Sequence, residues 1–320
     1  MTKIKIIVGV IIMVFLGYGL AQWYHDGSVP EANQPLEQTQ QTPKDEGTTV
    51  QKQKMTQKMN QLQQKLEEII SQDSAADYGV YVAWPECGQP VIINNRKQSA
   101  ASVIKIYILG TAYNMVAQGD LSLDTTLRVK RSDMVGGAGV INGYGGEPVL
   151  TIRELLKLMI IESDNTATNV MIDYLGMNRI NQYIQAQGYG DTILQRKMMD
   201  TASLQAGRDN FTTVQDVGTF FDRLLAKKLV NETLDQEMLD IFKEQTDKEC
   251  INTALAATSN LQVAHKTGEL IGVYHDAGIV YHGQDGYVEV LFSENSNNRD
   301  RSIRVLRKIA QQVDRAYQEQ

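Results

Sequence analysis

The sequence has few of the residues that build metal sites or disulfide frameworks. It contains two cysteines, Cys87 and Cys250, and neither belongs to a CxxC or Cys/His cluster with zinc spacing. Its histidines also form no ligand pattern: His25, His265, His275 and His282. We therefore expect no metal site and no cofactor. The two thiols either pair outside the cytoplasm or stay unpaired in the core, and the sequence leaves both possibilities open.

Positive charge is also scarce. The 320 residues include 31 Lys and Arg against 38 Asp and Glu, which gives a formal net charge of -7. This acidic balance argues against nucleic acid or an anionic membrane surface as the main partner. Hydrophobic residues make up 42% of the chain, enough to build the core of one globular domain.

One long hydrophobic run is present, at the N-terminus. Lys3 and Lys5 precede an uncharged stretch at residues 6–24. Basic residues before an apolar segment are typical of a membrane anchor, which we favour, or of a secretory signal peptide cleaved near Ala21. Either interpretation of residues 1–24 predicts an extracytoplasmic location for the rest of the chain, with the anchor holding it at the cell membrane.

A polar segment follows and leads into the main domain. Residues 25–52 carry almost no apolar side chains, which predicts a flexible linker. From Met55 the apolar residues keep a heptad spacing for barely two repeats, too few for a coiled coil. We therefore expect a first helix packed on the domain 53–320, and a monomer rather than a zippered dimer.

Strand patterns occur at both ends of this domain, with helical patterns between them. The predicted strands are 78–84, 90–94, 261–266, 273–281 and 287–292. The predicted helices are 102–118, 151–161, 166–175, 178–187, 212–227, 233–246 and 300–317. This order predicts an α/β (α+β) fold with an antiparallel sheet of about five strands from both chain ends, flanked by helices, and an inserted all-α subdomain. The junction of the two parts is a plausible cleft.

A Ser-x-x-Lys motif marks the start of the first apolar helix pattern. Backbone N–H groups at a helix start lack partners and favour negative charge, so an oxyanion at Ser102 would be stabilised. Lys105 lies about one turn on and can reach the hydroxyl. Its apolar surroundings should lower its pKa from about 10.4 toward the range of a proton acceptor. Alone the motif is a weak signal, because Ser is also a common N-cap.

Two further motifs follow in order. Ser163-Asp164-Asn165 stands between two helical patterns and by itself suggests an N-cap, whereas Lys266-Thr267-Gly268 follows a strand pattern and by itself suggests a turn. In this order and at this spacing, the three motifs resemble those of class A β-lactamases and penicillin-binding proteins. The resemblance covers about residues 55–318.

The resemblance implies a catalytic role for four residues. Ser102 would be the acylated nucleophile, and Lys105 would accept its proton directly or through water. Ser163 would relay a proton toward the leaving nitrogen. Lys266 would keep that path electropositive and attract the substrate carboxylate.

The resemblance also implies the substrate-binding residues. Asn165 would hydrogen-bond the substrate side-chain amide, and Thr267 would bind the carboxylate. The strand at Gly268 and Glu269 would pair with the substrate backbone. The N–H groups of Ser102 and Glu269 would form an oxyanion hole, in which each donor is worth about 3 to 4 kcal/mol.

The sequence departs from the class A pattern at one point. A class A β-lactamase uses a glutamate between its second and third motifs to activate the deacylating water, but no glutamate occurs between Ser163 and Glu232. The corresponding stretch is 194–213, where Asp200 is the one acidic residue among the candidate positions 196–200. Asp200 either assists deacylation or fixes the loop by pairing with Arg196. Asn169, four residues after Asn165, has the same two possible roles.

These motifs predict a serine hydrolase that forms an acyl-enzyme with β-lactams or D-Ala-D-Ala-like cell-wall peptides. One alternative is a DD-peptidase or penicillin-binding protein with slow deacylation. Another is a non-hydrolysing sensor of β-lactams or cell-wall fragments. The sensor is disfavoured because binding alone would not require both Lys105 and Ser163.

Overall fold

The computed structural model describes residues 44–85, 87–258 and 261–319. The compact unit that carries the fold is Glu46–Gln320, and of the unit Met1–Asp45 only the start of a helix is described. The predicted anchor therefore lies outside the described residues, as does most of the predicted linker. Within the described ranges, no helix is both long and apolar enough to cross a bilayer.

The described residues form ten helices, nine strands and three short 3-10 turns. The helices are α1 Lys44–Ser71, α2 Lys105–Gln118, α3 Ile152–Ile161, α4 Asn165–Leu175, α5 Met177–Ala186, α6 Thr201–Gln205, α7 Val214–Leu225, α8 Glu232–Lys243, α9 Ile251–Ala254 and α10 Arg299–Gln318. The strands are β1 Asp77–Ala83, β2 Val91–Ile93, β3 Gln98–Ser99, β4 Thr126–Arg128, β5 Val149–Thr151, β6 Phe211–Thr212, β7 Leu261–Leu270, β8 Val273–His282 and β9 Asp285–Glu294. The turns are Ala101–Ile104, Arg131–Asp133 and Ile141–Gly143.

The main sheet joins strands from both ends of the chain. Its five strands lie in the order β2-β1-β9-β8-β7, and every neighbouring pair is antiparallel. The predicted fold class is therefore confirmed, with helices flanking a sheet built from both termini. The helical insert also contains a small two-stranded ladder, β4 with β5. Because β7 is an edge strand, the backbone groups along its outer side have no partner strand in this sheet.

Strand β7 is longer than its sequence pattern predicts. The pattern ends at Lys266, but pairing with β8 continues through Leu270, so Lys266-Thr267-Gly268 lies inside a strand. The chain reverses instead at Gly272, whose φ of +75° suits glycine. Burial from Val263 to Gly268 on both faces explains why strand pairing prevails over the local turn signal.

Two hydrophobic cores lie on opposite faces of the sheet. One core surrounds α2 and contains Ala264 and Ala277 from the sheet. The other packs α1 and α10 against the far face, with Leu66 fully buried. The prediction of a first helix packed on the domain is thus confirmed. We refer to these as the α2 face and the α10 face.

Helix α1 begins at Lys44, within the predicted linker 25–52. Residues 44–52 lack the apolar pattern that marks a packed helix. Lys, Gln and Glu are nevertheless good helix formers, so a polar turn can extend a helix whose later turns are packed. The two cysteines form no disulfide, and Cys250 is buried in the core of the α10 face.

Candidate active site

Ser102 lies where the sequence predicts, at the entry to the central helix. It belongs to the 3-10 turn Ala101–Ile104, which continues directly into α2. The residue at the N-cap of this turn is Ala100, and no side chain caps the turn. The Ser102 hydroxyl is therefore not used as a cap, which removes the structural explanation of the motif and leaves the hydroxyl available for chemistry.

Gly268 packs directly against the turn that carries Ser102. A Cβ at Gly268 would lie 3.2 Å from the backbone N of Ser102 and 3.1 Å from Cγ2 of Val103. Such contacts are tighter than ordinary van der Waals packing, so glycine allows the edge strand and the turn to approach. The approach brings the Ser102 N–H beside β7, where the resemblance places an oxyanion hole.

Lys105 is fully buried beside Ser163 and Asn165. Its Nζ donates to the Ser163 carbonyl at 2.6 Å, to Ser163 Oγ at 3.0 Å and to Asn165 Oδ1 at 3.0 Å. Burial lowers the pKa of Lys105 well below its usual value, the charge of Lys266 lowers it further, and Asp164 partly opposes the shift. The sequence-based expectation of a low-pKa amine at this position thus agrees with the environment.

The contacts of Lys105 also suit a neutral amine. Two of its three partners, the Ser163 carbonyl and Asn165 Oδ1, can only accept hydrogen bonds, and the two N–H groups of a neutral amine satisfy both. The nitrogen lone pair then remains available for a hydroxyl. A neutral Lys105 can therefore accept a proton without losing its anchoring contacts.

Lys266 reaches the same serine from β7. Its Nζ donates to Ser163 Oγ at 3.0 Å and to the Thr267 carbonyl at 2.8 Å. The pKa of Lys266 is lowered to about 8, because the effect of burial exceeds the opposing effect of the Asp247 and Asp276 charges. When Lys105 is protonated, both amines can donate to Ser163 Oγ and occupy its two lone pairs. Its own O–H is then free to donate to another group.

The second motif does form the helix cap that its sequence suggests, through Asp164. One carboxylate oxygen of Asp164 accepts from Ala167 N at 2.8 Å, at the start of α4. The other accepts from Val140 N at 2.7 Å and Ile141 N at 2.9 Å. Ser163 before it has a φ of +51°, an uncommon conformation for a residue with a side chain. This arrangement turns Ser163 toward both lysines and ties the 136–140 loop to the site.

The predicted substrate-binding residues lie around this serine. Asn165 is buried and donates from Nδ2 to the Gly136 carbonyl at 3.1 Å. Thr267 and Gly268 follow Lys266 on the edge strand, and Glu269 comes next. The Glu269 carboxylate accepts from Arg299 Nε at 2.9 Å.

Arg299 is a residue of the site's border that the sequence does not reveal. It stands at the start of α10, where it bridges Glu269 to Glu249. The three residues lie in separate segments of the chain, so no local pattern links them. The sequence therefore carries no local signal for the ion pairs of Arg299 with Glu249 and Glu269.

The predicted pair of Asp200 and Arg196 is wrong. Arg196 Nε instead donates to Asp209 at 2.7 Å, with both side chains nearly buried. Asp200 caps α6 by accepting from Ser203 N at 2.9 Å, and this hydrogen bond lowers the pKa of its carboxyl. Asp200 has thus become the cap of a short helix, which the sequence pattern did not predict.

Asn169 fixes the 194–213 loop at Met198. Its Oδ1 accepts from Met198 N at 2.7 Å and its Nδ2 donates to the Met198 carbonyl at 3.1 Å. These bonds give Asn169 the loop contact that was one of its two predicted roles. Asn169 lies one helical turn after Asn165, and the loop residue that it holds is a methionine, which cannot act as a base.

The described part of the chain offers no carboxylate to the catalytic groups. Within it, no Asp or Glu side chain hydrogen-bonds to Ser102, Lys105, Ser163 or Lys266. Over the same residues, no group of three or more His, Cys, Asp or Glu is placed to hold a metal ion. The site therefore consists of a serine, two amines and a second serine.

A serine at the start of the central helix, with a buried lysine one turn later, set between an antiparallel sheet and a helical insert, is the arrangement of an active-site serine hydrolase. The chain belongs to the β-lactamase enzyme family, whose model matches residues 61–319. The predicted family, fold and enzyme class are confirmed.

Known relatives of this chain include β-lactamases and a penicillin-binding protein. The β-lactamase structure from Sphaerobacter thermophilus is 25% identical and has a TM-score of 0.73, with coverage of 80% of this chain and 97% of that one. An acyl-enzyme complex of a PBP-A variant with penicillin G is 25% identical, with a TM-score of 0.75 and coverage of 82% and 98%. A β-lactamase of Phocaeicola vulgatus is 24% identical, over 61% of this chain and 65% of the relative. The match thus spans just under two thirds of that relative's length.

Proposed function

We propose that this protein forms a covalent ester on Ser102 with β-lactams or with D-Ala-D-Ala-like cell-wall peptides. The observation that carries this proposal is the convergence of two buried amines, Lys105 and Lys266, on the hydroxyl of Ser163. Two buried lysines around one serine are costly to maintain in a protein interior. Proton transfer to and from a substrate gives a reason for both.

The geometry supports the following steps of acylation. Lys105 takes the proton of Ser102 Oγ, which then bonds to the substrate carbonyl carbon. The oxygen of that carbonyl becomes negative and accepts from the N–H groups of Ser102 and Glu269. As the C–N bond breaks, Ser163 gives its proton to the leaving nitrogen, and the amines beside it supply the replacement.

The described residues offer no base for deacylation, because Asp200 caps α6 and the loop residue that Asn169 holds is Met198. Water must attack the ester for the enzyme to turn over, and a carboxylate would normally take its proton. This observation favours the second candidate function, a penicillin-binding protein or DD-peptidase with a long-lived β-lactam ester. The penicillin G acyl-enzyme of a PBP-A variant shows that a protein of this fold can carry such an ester.

Intact-mass spectrometry of the full-length chain with excess benzylpenicillin tests the proposal. We expect an adduct with the mass of one penicillin on the unmutated protein and none on Ser102→Ala. Failure of the unmutated protein to acquire the adduct would contradict the acylation mechanism and leave a binding module. An adduct that persists for hours indicates a penicillin-binding protein or sensor, and release of D-Ala from a D-Ala-D-Ala peptide separates these two. Rapid loss with accumulation of penicilloic acid indicates a β-lactamase.

We further propose that the protein is monomeric and acts outside the cytoplasm, anchored in the cell membrane by residues 1–24. The support is the basic residues before the apolar stretch and the cell-wall or β-lactam chemistry of the site. Membrane fractionation tests the anchor: we expect the chain in the membrane pellet after alkaline washing, with its N-terminus intact. A soluble chain that begins near residue 22 would instead indicate a cleaved signal. Light scattering of the purified protein tests the monomer.

A further inference from the structure

Three buried titratable side chains lie directly behind Lys266. His265, Asp276 and Glu289 occupy neighbouring strands and are each exposed by 1% or less. Strand register pairs Asp276 with Thr267 and, on its other side, with Leu291 in the core of the α10 face. Cross-strand partners share a face of a sheet, so this cluster lies on the α10 face.

Lys266 itself points to the opposite, α2 face. Its cross-strand partner is Ala277, which belongs to the core around α2. Its Nζ also donates to the carbonyl of Thr267, the residue that pairs with Asp276. The amine and the Asp276 carboxylate are therefore separated by the backbone of the sheet.

Asp276 holds the negative charge of this cluster. One of its oxygens accepts from His265 Nδ1 at 2.7 Å and the other from Ile251 N at 3.0 Å, and such donors stabilise a carboxylate. His265 Nε2 is buried without a hydrogen-bond partner among the described residues, so the ring's polar contact in this cluster is the one to Asp276. The charge of Asp276 raises the pKa of Lys266 across the sheet.

Glu289 is the neutral member of the cluster. Neither of its carboxyl oxygens has a hydrogen-bond partner among the described residues. Burial raises the pKa of Glu289 well above its usual value, and the charges of Asp276 and Asp314 raise it further. Its field at Lys266 is therefore that of an uncharged acid.

Three ionisable groups act on Lys266 from the elements around it. Lys105 faces it from α2, Asp247 from the segment after α8, and Asp276 through the sheet from β8. Asp247 is exposed, so water and salt screen its charge. Asp276 is buried, where the same charge acts at a lower effective dielectric constant.

We propose that Asp276 is a positioning residue for the acylation site, which keeps Lys266 charged from the opposite face of the sheet while His265 orients its carboxylate. Its consequence for catalysis rests on the proposed function, in which a charged Lys266 keeps the Ser163 path electropositive. Asp276 belongs to none of the three motifs, and it contacts neither Ser102 nor Ser163 in the structure.

Replacing Asp276 by asparagine tests this assignment through the pH dependence of acylation. A carboxylate raises the pKa of a neighbouring lysine, so its removal must lower the pKa of Lys266 from about 8. Lys266 then stays charged at pH 6 but loses its proton earlier as the pH rises. With the full-length chain and benzylpenicillin, we expect Asp276→Asn to acylate at a similar rate at pH 6 and about threefold more slowly at pH 8.

Two variants separate charge from structure. Glu289→Gln changes a buried group on the same face without changing its charge. We therefore expect the alkaline limb of its pH profile, which is the fall in acylation rate above neutral pH, to stay where it is in the unmutated protein. Asp276→Glu keeps the charge and should keep the limb. If Asp276→Asn does not fold, Asp276→Thr provides a neutral residue suited to a strand. An alkaline limb that does not move in the neutral Asp276 variants, or that moves equally in Glu289→Gln, overturns the assignment.

A second measurement decides the question without any acylation. NMR titration of [ε-13C]lysine in the full-length chain reports Lys266 directly, with its signal assigned by Lys266→Arg. We expect a midpoint near the pKa of about 8 in the unmutated protein and a lower one in Asp276→Asn. An unmutated protein that takes up no penicillin contradicts the proposed function, and the titration still tests Asp276. Equal midpoints in the two proteins contradict the role of Asp276.

Discussion

Ser163 connects the two lysines of the site, and its hydroxyl is the only group that both amines contact among the described residues. Its position depends on a left-handed backbone conformation followed by the Asp164 cap. An unusual backbone conformation and a buried carboxylate therefore together orient the O–H group of Ser163. Such arrangements are found where a side chain must be aimed at a reacting atom.

Removing this hydroxyl should slow acylation without unfolding the protein. We expect Ser163→Ala to reduce the rate of adduct formation with benzylpenicillin by about 100-fold or more, since a positioned proton donor contributes about 10²- to 10⁴-fold. Ser132→Ala, at an exposed serine, is the control and should acylate normally. A Ser163→Ala protein that acylates as fast as this control would exclude Ser163 from the proton path.

Met198 is where a base is missing. Asn169 holds its backbone rather than its side chain, so substitution should preserve the loop. We expect Met198→Glu to shorten the lifetime of the penicillin ester by about tenfold or more, since a carboxylate can accept a proton from the attacking water. Met198→Gln matches its size without the base. Equal lifetimes for the two variants would contradict this account of slow deacylation.

The sequence identified those site residues whose signals are local. Ser102 with Lys105, the Ser163 motif and the Lys266 motif each lie within a few positions, so a short pattern reveals them. Arg299 and Asp276 act through strand register and helix packing, to which no short pattern corresponds. The expected pairing of Asp200 with Arg196 is absent for a local reason, because the Asp200 carboxylate caps helix α6 instead.

At the scale of elements, the 194–213 loop is held at both ends of its irregular part. Arg196 and Asp209 form an ion pair with 8% and 13% of their side chains exposed. Asp209 also accepts from Ser99 Oγ at 2.7 Å. This bond ties the loop to β3, which directly precedes the 3-10 turn that carries Ser102. The loop is thus fixed to the scaffold of the site as well as to itself.

Breaking this pair should loosen the loop and destabilise the domain. We expect Arg196→Ala to lower the free energy of unfolding by about 3 to 5 kcal/mol, because it leaves the nearly buried Asp209 carboxylate uncompensated. Urea titration measures the change. In Arg196→Ala with Asp209→Ala, the combined loss should be smaller than the sum of the single losses. Additive losses would show that the two side chains do not depend on each other.

Element order was predictable because the periodic patterns are long, whereas element ends were less so. The strand pattern stopped at Lys266 because Gly268 and Glu269 are uncommon in strands, and only pairing with β8 extends the strand. The start of α1 at Lys44 was missed because its first turns lack an apolar face. Both errors occur where partners or packing, rather than local composition, decide the backbone.

At the scale of the whole molecule, the sheet separates the core packed by α1 and α10 from the proposed catalytic groups. The catalytic groups lie on the α2 side and at the β7 edge, whereas α1 and α10 cover the other face. Large losses of packing on the α10 face should therefore leave the chemistry intact as long as the sheet persists. We propose one exception. Asp276 lies on the α10 face, but its charge acts on Lys266 through the backbone of the sheet.

A core substitution in α1 tests this separation. Leu66 is fully buried on the α10 face, and we expect Leu66→Ala to lower the free energy of unfolding by about 2 to 5 kcal/mol. Acylation by benzylpenicillin at 25 °C should stay within about twofold of the unmutated rate. Lys65→Ala, at the exposed neighbouring position, should change neither quantity. A large loss of acylation in folded Leu66→Ala would show that the two faces are coupled.

The pairing of β1 with β9 also has a consequence for how the chain folds. Val80 pairs with Leu291, so the centre of the sheet joins residues from opposite ends of the chain. Contacts of such long sequence separation form slowly, because a large loop must close first. Helices α2 to α5 can collapse around Lys105 early, but Lys266 is delivered only by a strand of the completed sheet. A growing or partly folded chain therefore carries Ser102 without its full set of amines, and reactivity appears last.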